Sequence, residues 1–198
     1  MMTTLEKLQK ITHRDQMGTF IKTLKDPVIC EVGVRTGGNF DTLLTSNVKL
    51  AIGVDIWRET GATGQNDNLY DQSILDEQYL EVFNKYLDDD RVKLIREFSG
   101  NAAQFFEDET FDFIYIDADH TYEAVTEDLN AWYPKLKVGG VLAGHDYIPR
   151  ETTIKLGHSV PFGVVEAVAD FREKNEISNE NFHLTTEVYA SHFTVKEK

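Results

Sequence analysis

A single cysteine, Cys30, in 198 residues rules out an intrachain disulfide, and its place inside an apolar run reads as a buried thiol in preference to a nucleophile. Only 20 lysines and arginines stand against 34 aspartates and glutamates, giving a net charge of −14 and a pI near 4.8. That balance argues against a nucleic-acid partner, because neutralising phosphates takes clustered basic side chains. No run of ~18 apolar residues occurs, so no membrane-spanning helix is expected. The opening Met1-Met-Thr-Thr-Leu-Glu-Lys7 has no basic stretch followed by an apolar core. A soluble, cytoplasmic protein that acts on a small molecule, with no membrane partner, is the expectation. With only four prolines and no Gly/Ser-rich tract or repeat, residues 1–198 read as one domain, 1–25 being a helical segment ahead of a core over 26–198.

What is present centres on Val28-Ile-Cys-Glu-Val-Gly-Val-Arg-Thr-Gly-Gly-Asn-Phe40, a short apolar strand entering Glu31-x-Gly33-x-x-x-Gly37-Gly38, where a helix begins. Gly33 permits a tight turn, Gly37 and Gly38 let backbone approach a ligand, and the helix start offers unpaired N–H groups to a negative group. Asp55 follows Gly33 by 22 residues and ends the next apolar strand, Leu50-Ala-Ile-Gly-Val-Asp55. An acid at that spacing suits ribose hydroxyls, and the pair points to a nucleoside.

Apolar positions at Leu5, Leu8, Ile11, Met17, Phe20, Ile21 and Leu24 predict one or two helices before the first strand. Strand-like and helix-like runs then alternate: strands over 27–34, 48–56, 91–98, 111–117 and 140–146, helices over 40–44, 72–87, 101–106, 122–136 and 164–174. Alternation of this kind means a parallel sheet covered by helices. The closing runs 182–188 and 191–196 are too closely spaced for another crossover and predict an antiparallel hairpin. The polar segment 58–68 reads as either a mobile lid or an ordinary surface loop.

A second acidic cluster stands at two further strand ends: Asp117-x-Asp119-His120 after Phe111-Asp-Phe-Ile-Tyr-Ile116, and Gly144-His145-Asp146-Tyr147. Ligands of parallel sheets bind outside the carboxyl ends of the strands, so Gly33, Asp55, Asp117 and Asp146 are expected along one edge. Taken singly, Asp119 reads equally as a helix cap and Asp117 as a partner for loop amides.

Glu31-x-Gly33-x-x-x-Gly37-Gly38, Asp55, Tyr115-Ile-Asp-Ala-Asp-His-Thr-Tyr122 and Leu136-Lys-Val-Gly-Gly-Val-Leu-Ala-Gly-His-Asp-Tyr147 each resemble motifs of class I S-adenosylmethionine-dependent methyltransferases, in that family's order. The resemblance covers roughly residues 26–197. Within the class, Asp-Ala-Asp-His and Gly-His-Asp-Tyr resemble small-molecule O-methyltransferases, including the cation-dependent catechol and caffeoyl-CoA types, and Phe162–Phe171 resembles a branch of small, mostly uncharacterised methyltransferases. The implied fold is α/β: a Rossmann-like, doubly wound, seven-stranded sheet, mostly parallel, with a C-terminal antiparallel hairpin. Glu31, Gly33, Gly37 and Gly38 would then shape the methionine pocket, Asp55 would accept the ribose hydroxyls, and Phe98 and Ser99 would lie near adenine. Asp117 and Asp146 match two ligands of a divalent cation such as Mg²⁺; with no metal, Asp117 would contact the methionine amino group or orient a histidine. Tyr147 stands where those relatives carry an Asn ligand, and His120 where the caffeoyl-CoA type carries Lys. The branch is compatible with a homodimer.

Methyl transfer to a hydroxyl needs alignment and a group that takes the proton, and His145, ahead of His120, is the expected base. Histidines 13, 158, 183 and 192 stand outside any motif and read as solvated or structural. The expected activity is methylation of a hydroxyl on a sugar- or phenol-like small molecule. The alternatives are a nicotinamide-dependent oxidoreductase, disfavoured because Gly33-x-x-x-Gly37-Gly38 is not G-x-G-x-x-G, and a noncatalytic nucleoside-binding module.

Overall fold

The computed structural model describes residues 2–59, 71–158 and 160–197. Seven strands, β1 (Val28–Val32), β2 (Leu50–Asp55), β3 (Val92–Arg96), β4 (Phe111–Ile116), β5 (Leu136–Tyr147), β6 (Phe182–Leu184) and β7 (Ala190–Val195), form one sheet in the order β3-β2-β1-β4-β5-β7-β6. The first five strands are parallel, and β7 runs antiparallel between β5 and β6. The strands alternate two apolar faces, as side chains two residues apart must. Ile29, Phe113, Tyr115, Val141 and Ala143 join one core. Cys30, Ile114, Ile116 and Leu142 join the other, which makes Cys30 the inert core thiol its context predicts.

Helices α1 (Thr4–Leu8), α2 (Met17–Ile21), α3 (Gly38–Leu43) and α4 (Gln72–Tyr86) contribute Leu8, Met17, Phe20, Phe40, Val82 and Tyr86 to the first core. The second is covered by α5 (Ser99–Ala103), α6 (Tyr122–Trp132) and α8 (Val164–Lys174). In α6 the buried positions Val125, Asp128, Leu129 and Trp132 fall on one helical face, and Thr121 caps its start by accepting the Ala124 N–H at 3.3 Å. Thr121 takes that position instead of Asp119, whose carboxylate accepts the Thr121 N–H at 2.7 Å.

Three of the differences from expectation have physical reasons. α6 stops at Trp132, ahead of Pro134, and β5 starts at Leu136, four residues early. A short helix, α7 (Arg150–Lys155), went unpredicted: it buries only Thr153 and so leaves no apolar period to read. The strand expected over 182–188 ends at Leu184, where the Thr185 hydroxyl accepts the Ser191 N–H at 2.7 Å and closes the hairpin. The segment 58–68, read as either a lid or an ordinary surface loop, lies, past Glu59, outside the described residues.

β1 and β4 leave their shared edge in opposite directions through the sheet order, and that reversal places the cleft. The Asp117 N–H donates to the Val32 carbonyl at 2.7 Å, and the Gly33 N–H to the Val54 carbonyl at 2.8 Å. A Cβ on Gly33 would stand 2.0 Å from the Asp117 carbonyl oxygen. The glycine there is thus demanded by the closeness of two strand ends, beyond the turn inferred from sequence.

Candidate functional site

Across the carboxyl ends of β1, β2, β4 and β5 runs a cleft of about 1170 Å³, beyond the usual range of a single small-ligand pocket. Glu31, Gly33, Gly38, Asp55, Phe98, Ser99, Asp117, His120, His145 and Asp146 all line it. Gly37 does not: its α-carbon turns toward Val82 and Tyr86 of α4. What Gly37 supplies is the left-handed turn, φ +79°, that starts α3.

At the β1 end, Glu31 is 1% exposed. One carboxylate oxygen accepts from the Asn39 side chain at 2.7 Å, while the other is buried with no protein partner. Burial drives its pKa well above the ordinary glutamate value despite the Asn39 bond. An orphaned buried acceptor facing a cleft suits a cationic or N–H-bearing ligand. At the end of β2, Asp55 accepts the Arg35 and Trp57 backbone N–H groups at 2.8 Å, one on each oxygen. Those amides fix the carboxylate and leave lone pairs for a diol. Beyond β3, Ser99 Oγ accepts the Trp132 indole N–H at 2.8 Å, and Ser99 also bonds the Asp128 carboxyl. Burial pushes Asp128 up to about 6 against that bond. Phe98, 48% exposed, presents its ring beside Ser99. These groups fit an adenosine bearing an amino-acid tail: diol acceptor, flat apolar surface, and acids at the far end.

The floor of the cleft at β4 and β5 gathers Asp117, His120, His145 and Asp146. His120 Nε2 lies 2.9 Å from Asp146 and 3.5 Å from Asp117. Burial lowers the His120 pKa, but the bonds to the two carboxylates outweigh it and push the imidazole up to about 10. His120 is therefore protonated near neutral pH in this arrangement, so of the two histidines expected as bases it is the poorer acceptor. Burial raises the Asp146 pKa, yet His120 and His145 hold the carboxyl well below the usual range. His145 Nδ1 is 3.3 Å from Asp146 Oδ2 and 3.8 Å from Asp117 Oδ1, and its Nε2 is 3.3 Å from the Arg14 guanidinium. Because Arg14 only donates, the contact suits the tautomer in which Nε2 accepts and the ring proton sits on Nδ1, toward Asp146. In that tautomer the basic lone pair of the ring is the one on Nε2 that faces Arg14.

Asp117, His120 and Asp146 bring ligand atoms within 4.8 Å of one another. Two carboxylates and an imidazole suit a hard or borderline cation such as Mg²⁺ or Mn²⁺. Tyr147, at the position of the relatives' Asn ligand, packs its ring against Phe182 and His192 at 5.8 and 6.0 Å instead. His120 would supply the third donor of such a site.

Sequence reasoning missed Arg14, a lone arginine in a segment without a motif, which lines the cleft from the N-terminal side. It also set aside His158, which lines the cleft, bonds the Tyr189 hydroxyl at 2.9 Å and packs on Phe162. Phe162 in turn packs on His120, ring centroids 4.6 Å apart, so an aromatic wall stands beside the acid and histidine floor. No motif encodes these contacts, which depend on how α7 and the β6–β7 hairpin fold back.

A family profile described as a methyltransferase domain matches residues 30–147, more than half of the chain. Among similar solved structures is a provisional caffeoyl-CoA O-methyltransferase from Staphylococcus aureus, 15% identical, with TM-score 0.60 over 92% of this chain and 82% of that one. A provisional S-adenosyl-L-methionine-dependent methyltransferase from Methanococcus maripaludis is 14% identical, with TM-score 0.62 over 96% and 88%. A spermidine synthase in complex with the transition state analogue AdoDATO is 17% identical, with TM-score 0.59 over 92% of this chain and 60% of that one. At these identities the structural likeness speaks for the fold. Among the described residues, no helix is long and apolar enough to cross a membrane. With the profile covering the Gly-rich loop, Asp55, Asp117 and Asp146, the chain belongs to the methyltransferase domain family and is a class I, S-adenosylmethionine-dependent methyltransferase.

Proposed function

We propose that the protein transfers the methyl group to a hydroxyl of a sugar- or phenol-like small molecule, aided by a divalent cation. The observation that carries this reading is the meeting of His145 with the Asp117, His120 and Asp146 donors on one cleft floor. S-adenosylmethionine supplies an electrophilic methyl carbon on a sulfonium, so the protein's work is to bind, align and deprotonate. Asp55 holds the ribose and Ser99 with Phe98 the adenine end, while Glu31 and Asp117 face the methionine end. A hydroxyl set on the floor would give its proton to His145 Nε2, and the Asp146 carboxylate would stabilise the imidazolium that forms. Asp117, His120 and Asp146 would hold the cation, which lowers the pKa of a coordinated hydroxyl. Metal binding would expel the His120 proton, making affinity rise with pH. Alignment contributes most, on the order of 7–11 kcal/mol in well-oriented systems. The wall of Phe162, His158 and Tyr189 favours a flat or ring-bearing acceptor.

Thermal unfolding with S-adenosylhomocysteine and, separately, NAD tests the cofactor assignment. At ~100 times its dissociation constant a ligand adds about 2.7 kcal/mol, which at this size raises the midpoint by roughly 2–4 °C per kcal/mol. The homocysteine compound alone should shift wild type, and Asp55→Ala should abolish the shift. A shift with NAD would restore the oxidoreductase alternative. Turnover of an acceptor panel with labelled S-adenosylmethionine separates an enzyme from a noncatalytic binder.

A further inference from the structure

Arg14 enters the cleft from a short 3₁₀ turn, Arg14–Gln16, outside the strand and helix units that supply the other lining residues. Its guanidinium approaches Asp117 Oδ2 at 3.5 Å and His145 Nε2 at 3.3 Å, both through the same terminal nitrogen. The Asp117 approach is long beside the ~2.7–2.9 Å of a committed charge-assisted bond. Two partners also fall short of the five N–H donors a guanidinium offers. The backbone that carries Arg14, by contrast, is firmly mounted. Its own N–H donates to Glu187 at 3.0 Å, and His13 pairs with the other Glu187 oxygen at 2.9 Å. The Thr186 N–H donates to the Thr12 carbonyl at 2.9 Å, and the His183 ring reaches the Ile11 carbonyl at 3.0 Å. A rigid mount holding a loosely paired cation over Asp117, with the orphaned Glu31 oxygen in the same cleft, is the arrangement of a receptor for a zwitterion.

We propose that Arg14 receives the α-carboxylate of the cofactor's methionine half, while Asp117 Oδ2, the oxygen that faces Arg14, takes its α-ammonium group and leaves Oδ1, on the His120 side, to the cation. The inference rests on the S-adenosylmethionine reading of the cleft. Binding would exchange one long Arg14–Asp117 pair for two matched ones, with no change in net charge. A fork-shaped guanidinium meets a carboxylate through two parallel bonds, which fixes the direction of the tail as well as its affinity. The sulfonium lies further along that tail, so Arg14 would also set where the methyl carbon points relative to His145. A carboxylate on the acceptor would answer to the same chemistry, and the choice between the two sources is experimental.

Calorimetric titration of wild type, Arg14→Met and Arg14→Lys with S-adenosylhomocysteine and with 5′-methylthioadenosine decides it. The second ligand keeps the adenosine and sulfur but has no amino-acid part. Arg14→Met should weaken S-adenosylhomocysteine by roughly 10- to 100-fold and leave 5′-methylthioadenosine nearly unchanged, with Arg14→Lys in between. Unchanged S-adenosylhomocysteine affinity in Arg14→Met overturns the proposal and assigns the guanidinium to the acceptor. Equal loss of both ligands also overturns it, in favour of a purely structural arm. Failure of wild type to bind S-adenosylhomocysteine would instead overturn the cofactor assignment, a result distinct from either.

Discussion

His145 and Asp146 are consecutive on β5, yet His145 Nδ1 stands 3.3 Å from Asp146 Oδ2. Neighbours on a regular strand point to opposite faces. Here the pairing with β7 slips: Gly144 faces His192 and Tyr147 faces Ala190, so three steps on β5 match two on β7. The extra residue is a bulge, and Asp146 adopts the left-handed φ of +57° within it. A backbone conformation unfavourable for a non-glycine residue at the cleft floor marks geometry kept for its side chains.

If that geometry serves proton removal, His145→Gln should lower turnover by roughly 10²- to 10⁴-fold. S-adenosylhomocysteine affinity should be nearly unchanged, because the histidine lies on the acceptor side. Steady-state kinetics with the best acceptor of a panel, paired with calorimetry, provides the check. Full activity in the variant would remove His145 from the mechanism.

For the cation, Mn²⁺ and Mg²⁺ should each raise the unfolding midpoint of wild type, more at pH 8 than at pH 6. Asp146→Asn keeps the shape and tolerance of the left-handed backbone but removes a charge, so it should lose the shift. A shift that survives intact would place the ion elsewhere.

Gly144 has no room for a methyl group. Its Cβ would fall 2.4 Å from His192 Nε2, and His192 is 2% exposed, stacked with Phe182. Gly144→Ala should therefore cost about 1–3 kcal/mol of overpacking. In a His192→Ala background the same change should cost much less. Urea unfolding of the four proteins gives the coupling, and additive costs would contradict the contact.

Burial holds the His192 pKa down to about 3, with the positive charge of Arg172 adding to the effect. The unfolded chain carries this histidine near its ordinary ~6.5. Between those values the unfolded state binds the extra proton, so stability falls as pH falls from about 6.5 toward 3. Asp128, raised to about 6, has the opposite slope over part of that range. The stability difference between wild type and His192→Gln isolates the histidine. It should move against wild type by up to about 1.4 kcal/mol per pH unit below ~6.5; a pH-independent difference would mean that His192 is charged in the fold.

The alternation of strands and helices was legible because buried parallel strands such as Phe111–Ile116 are apolar nearly throughout, and helices such as α6 and α8 bury one face. The site acids were legible because strand ends are where short motifs sit. Arg14, His158 and Asp128 were not, since each gains its place from a partner distant in sequence: Asp117, Tyr189 and Ser99. The bulge at Asp146 leaves no trace in residue type, as aspartate is only an occasional occupant of left-handed backbone.

Glu187, which anchors the Arg14 backbone, lies 173 residues further along the chain. During synthesis the strands β1 to β5 precede that carboxylate, so the turn that carries Arg14 gains this anchor only when the β6–β7 hairpin is made. The Arg14 wall of the cleft thus gains its Glu187 anchor only after the five parallel strands have been made.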